Sequence, residues 1–271
     1  MRGANMKEIC KHFWIWTRLV RINLMSQLEY RANFVTGLMM EGGYLFAKIM
    51  YVIVVYAAGK RIAGYTPDEI LVFIGTFVAL TGFYAGVFMM NLFQLSQMVR
   101  DGSLDLLLVK PVSSQFLATF RRSDCALFLL DVLTGVVMIG VGFYRMGEFP
   151  GFVRILCWAV YASGGCMLAY SLWLIPLTLV FRVVRADAIA SLADCFWDFN
   201  NVPMVAFGRG AQFIGVFLVP IFVITNFPSL AVLGKLPPVW IASGLLVPVL
   251  SLYLASFCWK RGIARYESGG N

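Results

Sequence analysis

Charge is scarce in this sequence. Only 13% of its 271 residues are Asp, Glu, Lys or Arg, about half of the quarter usual in soluble domains. With 60% hydrophobic residues and a mean hydropathy of +0.80, too little polar surface is left to wrap a water-facing domain. Histidine is nearly absent, with His12 alone in the chain. No G-x-S-x-G or H-E-x-x-H stands anywhere, so no nucleophile–base or zinc-hydrolase set is legible. The Gly-Lys pairs, Gly59-Lys60 and Gly234-Lys235, lack both the following Ser or Thr and the upstream Gly of a phosphate-cradling loop. An ATPase is therefore excluded, and no catalytic residue or cofactor is expected in this chain. The six cysteines, at 10, 125, 157, 166, 195 and 258, form no C-x-x-C pair. They read as free structural thiols, with no metal centre among them.

Long apolar runs are what the sequence has in abundance. From Ile70 to Val99 there is no charged residue, and about 20 such residues cross a bilayer as a helix. Similar runs at 34–58, 126–144, 154–181 and 238–259 make an all-α polytopic membrane protein, one domain over 1–271. Segment 186–236 fits two arrangements. One is a polar surface stretch followed by a full span; the other is a polar fifth span followed by a hairpin dipping into the bilayer. Pro203, Pro220 and Pro228 break the apolar pieces and favour re-entrant helices within 203–236, which makes six spans. Residues 1–31 precede any span. On a helix, Ile9, Phe13, Trp16, Val20 and Leu24 share one face opposite Lys7, Lys11, Arg18 and Arg21, the pattern of an interfacial helix on anionic lipid.

The net charge of +8 follows from the positive-inside rule and needs no nucleic acid. Fifteen cations fall on the segments expected inside and six on those outside. Both termini, the segment 98–125 and the tail 260–271 are thus expected in the cytoplasm, and no cleavable signal is expected. Within the membrane, Glu41 and Lys48 lie on nearly one helix face, about 10 Å apart along the axis. Lys48 either faces a partner or a wet pathway, or pairs with an acid such as Asp194 or Asp198. Asp131 is expected at the cytoplasmic interface. Gly82 and Gly86 form a G-x-x-x-G that permits close helix approach, inside the chain or across a dimer. Pro176, Pro220 and Pro248 are expected to kink spans.

Residues 98–116, MVRDGSLDLLLVKPVSSQF, interrupt the apolar pattern. Asp101-Gly102 makes a turn, Ser103 can cap, Asp105 suits a first helical turn and Pro111 ends it. Four leucines, Leu104, Leu106, Leu107 and Leu108, are out of place in a merely solvated loop. This stretch resembles the signature of a branch of the type-2 ABC exporter permeases, in which Ile-Arg-x-Gly-x-Leu-Asp-x-x-Leu-Leu-x-Pro is typical. Arg100, Gly102, Leu104, Asp105, Leu107, Leu108 and Pro111 fit; Val99 replaces the Ile, and Val109-Lys110 stand before the Pro. The C-terminal WKRGIARYESGG and the prolines of 202–234 are also similar to that branch. The resemblance implies a bacterial-type inner-membrane permease that dimerises with an identical or different permease. It further implies separate ATP-binding subunits that hold ATP and Mg, and a coupling helix within 98–125. Arg100, Asp101, Gly102, Leu104, Asp105, Leu107, Leu108, Lys110 and Pro111 are the expected coupling residues, with Leu104, Leu107 and Leu108 as docking face. A motor-free secondary transporter or structural membrane component is the rival, and the sequence does not name a substrate.

Overall fold

The computed structural model describes residues 2–181 and 197–266, with side chains from residue 10 onward. Arg182, Arg185, Asp194, the start of the expected fifth span, the side chains of Lys7 and Ile9, and the end of the tail lie outside the described residues. Among the described residues the chain is helical, with one isolated bridge between Ile62 and Tyr65. The order is α1 (Arg2–Glu29), α2 (Arg31–Ala58), α3 (Pro67–Tyr84) and α4 (Met90–Arg100), then the short α5 (Asp105–Leu108) and α6 (Ser114–Phe120). It continues with α7 (Cys125–Met146), α8 (Phe152–Leu177), α9 (Arg209–Phe213), α10 (Ile221–Val232) and α11 (Pro238–Ile263). Five helical stretches are long and apolar enough to cross a membrane: Arg31–Ala58, Pro67–Arg100, Cys125–Met146, Phe152–Phe181 and Pro238–Ile263. A sixth arises if Arg209–Leu218 and Ile221–Val232, bent by 103° at Pro220, are counted as one broken element.

Local chemistry sets the boundaries. Thr66 and Glu69 close a reciprocal capping box on α3, with Pro67 at its first turn. Asp124 Oδ1 accepts the Leu127 N–H at the start of α7, at 3.0 Å. Gly59 and Gly147, at φ of +60° and +69°, end α2 and α7 in the left-handed conformation that glycine adopts without strain.

The central element is α3, nearly all of it buried, while α2, α7 and α11 present apolar faces outward. Helices in lipid gain little from apolar burial against each other, so close packing of small residues holds them together. A seam of glycines does this between α3 and α7. A Cβ added at Gly75 would stand 2.7 Å from Gly135 O, and one at Gly142 would meet Val72. One at Gly82 would collide with Asp131 Cβ, and one at Gly86 would lie 2.6 Å from Phe128 Cβ. The G-x-x-x-G pair thus packs inside the chain. Between α3 and α4 the backbone widens into a π turn at Ala85–Met89. There the Gly86 carbonyl accepts the Asp124 N–H at 2.7 Å, which fixes where α7 begins.

Behind this pair α8 packs on α10 and α11. All twelve residues of α10 are buried, as expected of a helix that enters the bundle and returns. A Cβ added at Gly165 would meet the Ile224 backbone, and one at Gly164 would stand 3.2 Å from Pro248, so this proline serves a helix contact. At the end of the bundle away from α5, Arg145 pairs with Asp68 at 3.0 Å and Lys235 with Glu69 at 2.7 Å.

The glycine seam yields a test. Gly82→Leu is expected to lower the thermal midpoint in detergent through overpacking worth about 1–3 kcal/mol or more. Gly140→Ala, on the open side of α7 with nothing within 4 Å, is expected to leave the midpoint unchanged or slightly raised. The check is loss of the monodisperse peak on heating, followed by size-exclusion chromatography.

Candidate functional site

The segment between α4 and α7 is built from short pieces. Asp101 Oδ1 accepts the Ser103 N–H at 3.0 Å, and Gly102 takes a φ of +71°, so an Asx turn reverses the chain. The expected Ser103 cap is not formed: Leu104 precedes α5 without a side-chain cap, and Asp101 holds the turn instead. Bonds from the Ser103 hydroxyl and N–H hold the Asp101 carboxyl below the usual carboxylate range. Because that value is depressed on folding, the turn keeps this contribution above the ordinary carboxylate pKa and loses it only as pH falls through the depressed one.

Residues 104–109, α5 with its two caps, divide by face, and here the sequence expectation is corrected. Leu104 is 0% exposed and Leu107 2%. Leu108 is half-buried. Leu106 and Val109, at 67% and 82%, stand out instead. Residues three apart share a face, so 104 and 107 anchor the helix to the core while 106 and 109 point away. The signature leucines Leu104 and Leu107 are the root of the segment, and Leu106 and Val109 form its tip. Arg100, Asp101, Lys110 and Pro111 are exposed around that tip; Gly102 and Asp105 are partly covered.

Three helices hold the segment in place. From α1, Lys11 Nζ donates to Pro111 O at 2.9 Å, and Asn23 Nδ2 donates to Arg121 O at 3.0 Å. His12 meets the Phe116 ring edge-on at 4.8 Å between centroids. From α4, Asn91 Nδ2 donates to Arg122 O at 2.7 Å and Asn91 Oδ1 accepts the Arg122 N–H at 2.9 Å. From α11, Trp259 Nε1 donates to Ser114 Oγ at 3.4 Å. Just beyond α11, Tyr266 stands near Asp105; burial, then that carboxylate, push its phenol up.

The polar residues of α2 separate into two sites. Lys48 Nζ donates to Asn201 Oδ1 at 2.5 Å and lies over the rings of Tyr44 and Phe77, at 4.9 and 4.7 Å. Asp198 is near enough to act on it electrostatically. An amide and two π faces thus hold the ammonium, a means of seating a cation away from water. Glu41 does not share that environment. Its carboxyl lies near enough to Asp131 to act on it electrostatically, and Asp131 is 1% exposed. Among the described residues no group of three or more His, Cys, Asp or Glu could hold a metal.

A model for the family described as ABC-2 family transporter protein matches residues 43–270. The chain belongs to that family. No curated protein and no solved structure matches it. Membership makes this permease the membrane component of an ABC transporter, a transport subunit without catalysis of its own, whose ATP-binding partners are separate subunits. The matched range spans α3 to α11 with the segment 98–125 inside it, whereas α1 precedes it.

Three features of the permease escaped the sequence. Asn91, Trp259 and Tyr266 hold the segment from afar, and only a map of contacts reveals them. The Glu41–Asp131 pair joins residues ninety apart with no motif between them. An aromatic cavity of about 730 Å³, lined by Phe83, Phe116, Phe120, Phe128, Trp158 and Tyr170, lies beside α6. Gln115 reaches over it to donate to the Tyr170 hydroxyl at 2.9 Å. Its rings come from four separate elements, so no local periodicity marks it.

Root and tip can be told apart by substitution. Leu104→Ala or Leu107→Ala is expected to cost about 2–5 kcal/mol of stability, and Leu106→Ala less than about 0.5 kcal/mol. Thermal melts of the purified permease would check this, and equal losses at 104 and 106 would contradict the division.

Proposed function

We propose that this permease is the membrane-spanning half-site of an ATP-driven exporter, paired with a second permease and docked through α5 onto separate ATP-binding subunits. The observation that carries this is the tip of α5. Two large apolar side chains, Leu106 and Val109, stand in the open on a helix whose other face is rooted in the core. An exposed apolar knob rimmed by Asp101 and Lys110 suits a hydrophobic cleft with a polar edge. The α5 tip is also mechanically connected. A push on it meets α1 through Lys11, α4 through Asn91 and α11 through Trp259. Motion of the ATP-binding subunit is therefore passed to spans on both sides of the aromatic cavity, as rigid-body tilt rather than loop bending.

The excess of cations on segments 1–33 and 98–125 supports both termini and α5 on the cytoplasmic side of an inner membrane. That places α1 at the same surface, strapped along residues 111–125 with its basic residues toward anionic lipid. The outward apolar faces of α2, α7 and α11 serve lipid and a partner permease. Apolar and aromatic surroundings favour amphiphilic cargo over bare ions.

Co-purification tests the reading. Wild-type permease isolated from its host is expected to bring an ATP-binding subunit, and Leu106→Glu with Val109→Glu to reduce that yield at least about tenfold while insertion persists. Unchanged partner yield and unchanged cargo-stimulated ATP hydrolysis in the double variant would exclude α5 as the docking element. Absence of any ATP-binding subunit with the wild type would favour a motor-free role.

A further inference from the structure

A second cavity, of about 530 Å³, opens where α1, α2 and the turn before α7 converge. It is unlike the aromatic one. Its lining mixes polar residues, among them Gln27, Glu41, Arg122 and Ser123, with the apolar Phe34, Leu38 and Leu127. Three of its polar atoms are buried without a hydrogen-bond partner: Gln27 Oε1, Glu41 Oε1 and Ser123 Oγ. They come from three different elements and all can accept. A buried acceptor without a donor is costly, so three around one cavity suit a ligand that brings donors.

The chemistry of that ligand follows from the count and the charge. A primary ammonium has three N–H donors and no acceptor. Glu41 and Asp124 bring carboxyl groups to the cavity lining, where a cation is the fitting counterpart. Arg122, exposed at the same cavity, offers a guanidinium to an anion close by, and guanidinium suits phosphate. The apolar wall continues along the outward face of α2, where Val35, Met39 and Met40 are open. A phosphate beside a primary amine, with hydrocarbon attached, is an amine-headgroup phospholipid.

The frame around the cavity is rigid. Asn23 fixes the carbonyl of Arg121, Asn91 grips Arg122 from the other side, and the Asp124 N–H is held by the π turn. The backbone that carries Ser123 is therefore fixed against α1 and α4, which sets one of the three acceptors in place.

We propose that this cavity is a binding site for phospholipids with a primary-amine headgroup, read by Gln27, Glu41 and Ser123. It does not depend on docking through α5, and its test involves neither ATP nor a partner subunit. Purified permease is delipidated in detergent, then titrated with phosphatidylethanolamine or phosphatidylcholine of the same acyl chains, and bound lipid is read by native mass spectrometry. The trimethylated headgroup keeps charge, phosphate and tails but has no N–H to donate. Wild type is expected to retain the ethanolamine lipid at least about tenfold better, the value of one charged hydrogen bond. Glu41→Gln and, separately, the conservative Ser123→Ala are expected to lower that ratio while total lipid bound through the apolar wall persists. If wild type holds both lipids equally, or if Ser123→Ala and Glu41→Gln keep the full preference, the proposal is overturned. Water-soluble phosphoethanolamine at equal concentration is expected not to displace the lipid. Displacement by it would show a headgroup site without a tail requirement and would overturn the phospholipid assignment.

Discussion

The contact of α3 with α7 governs the rest of this fold. Their backbones meet because Gly75, Gly82, Gly86, Gly135 and Gly142 leave no side chain between them, and the π turn then captures the Asp124 N–H on the Gly86 carbonyl. A carbonyl released from regular helix bonding is normally a cost in lipid. Here it becomes the fixed point from which α7 starts and at which the segment 98–124 must end. Bundle packing and the position of the candidate coupling element are thus one geometric fact.

From that fixed point the segment is held as a small rigid body. Its leucine root is internal, and its ends are gripped by α1, α4 and α11. Short helices such as α5 have no stability of their own, since nucleation costs more than four residues return. Tertiary anchoring by Leu104 and Leu107 supplies it. The apolar tip is free to be exposed because it contributes nothing to holding the helix.

Much of this was legible in the sequence, and what was not has physical reasons. Spans showed as apolar runs because lipid demands length and composition, and Asp101-Gly102 showed as a turn because few residues adopt a positive φ. The prolines of 203–236 marked a break, seen as the 103° bend before α10. The face of α5 was misjudged: four successive leucines on one turn hold no periodicity, so core and tip are decided only by what packs behind them. Lys48 and Glu41 shared a stripe on the helical wheel yet met different neighbours, Asn201 and Asp131. Their partners lie on other elements, and one helix cannot report what faces it. The same holds for the cavity lined by Gln27, Glu41 and Ser123.

The glycine seam also limits how the protein can change. A position with no side chain and no room can mutate only toward larger residues, so the interface has no cavity to fill and no spare contact to gain. Stabilising substitutions, which in most proteins come readily from filling and capping, would have to be sought in the lipid-facing faces of α2, α7 and α11. The core pair of this bundle is already at its limit of closeness, and drift there runs in one direction only.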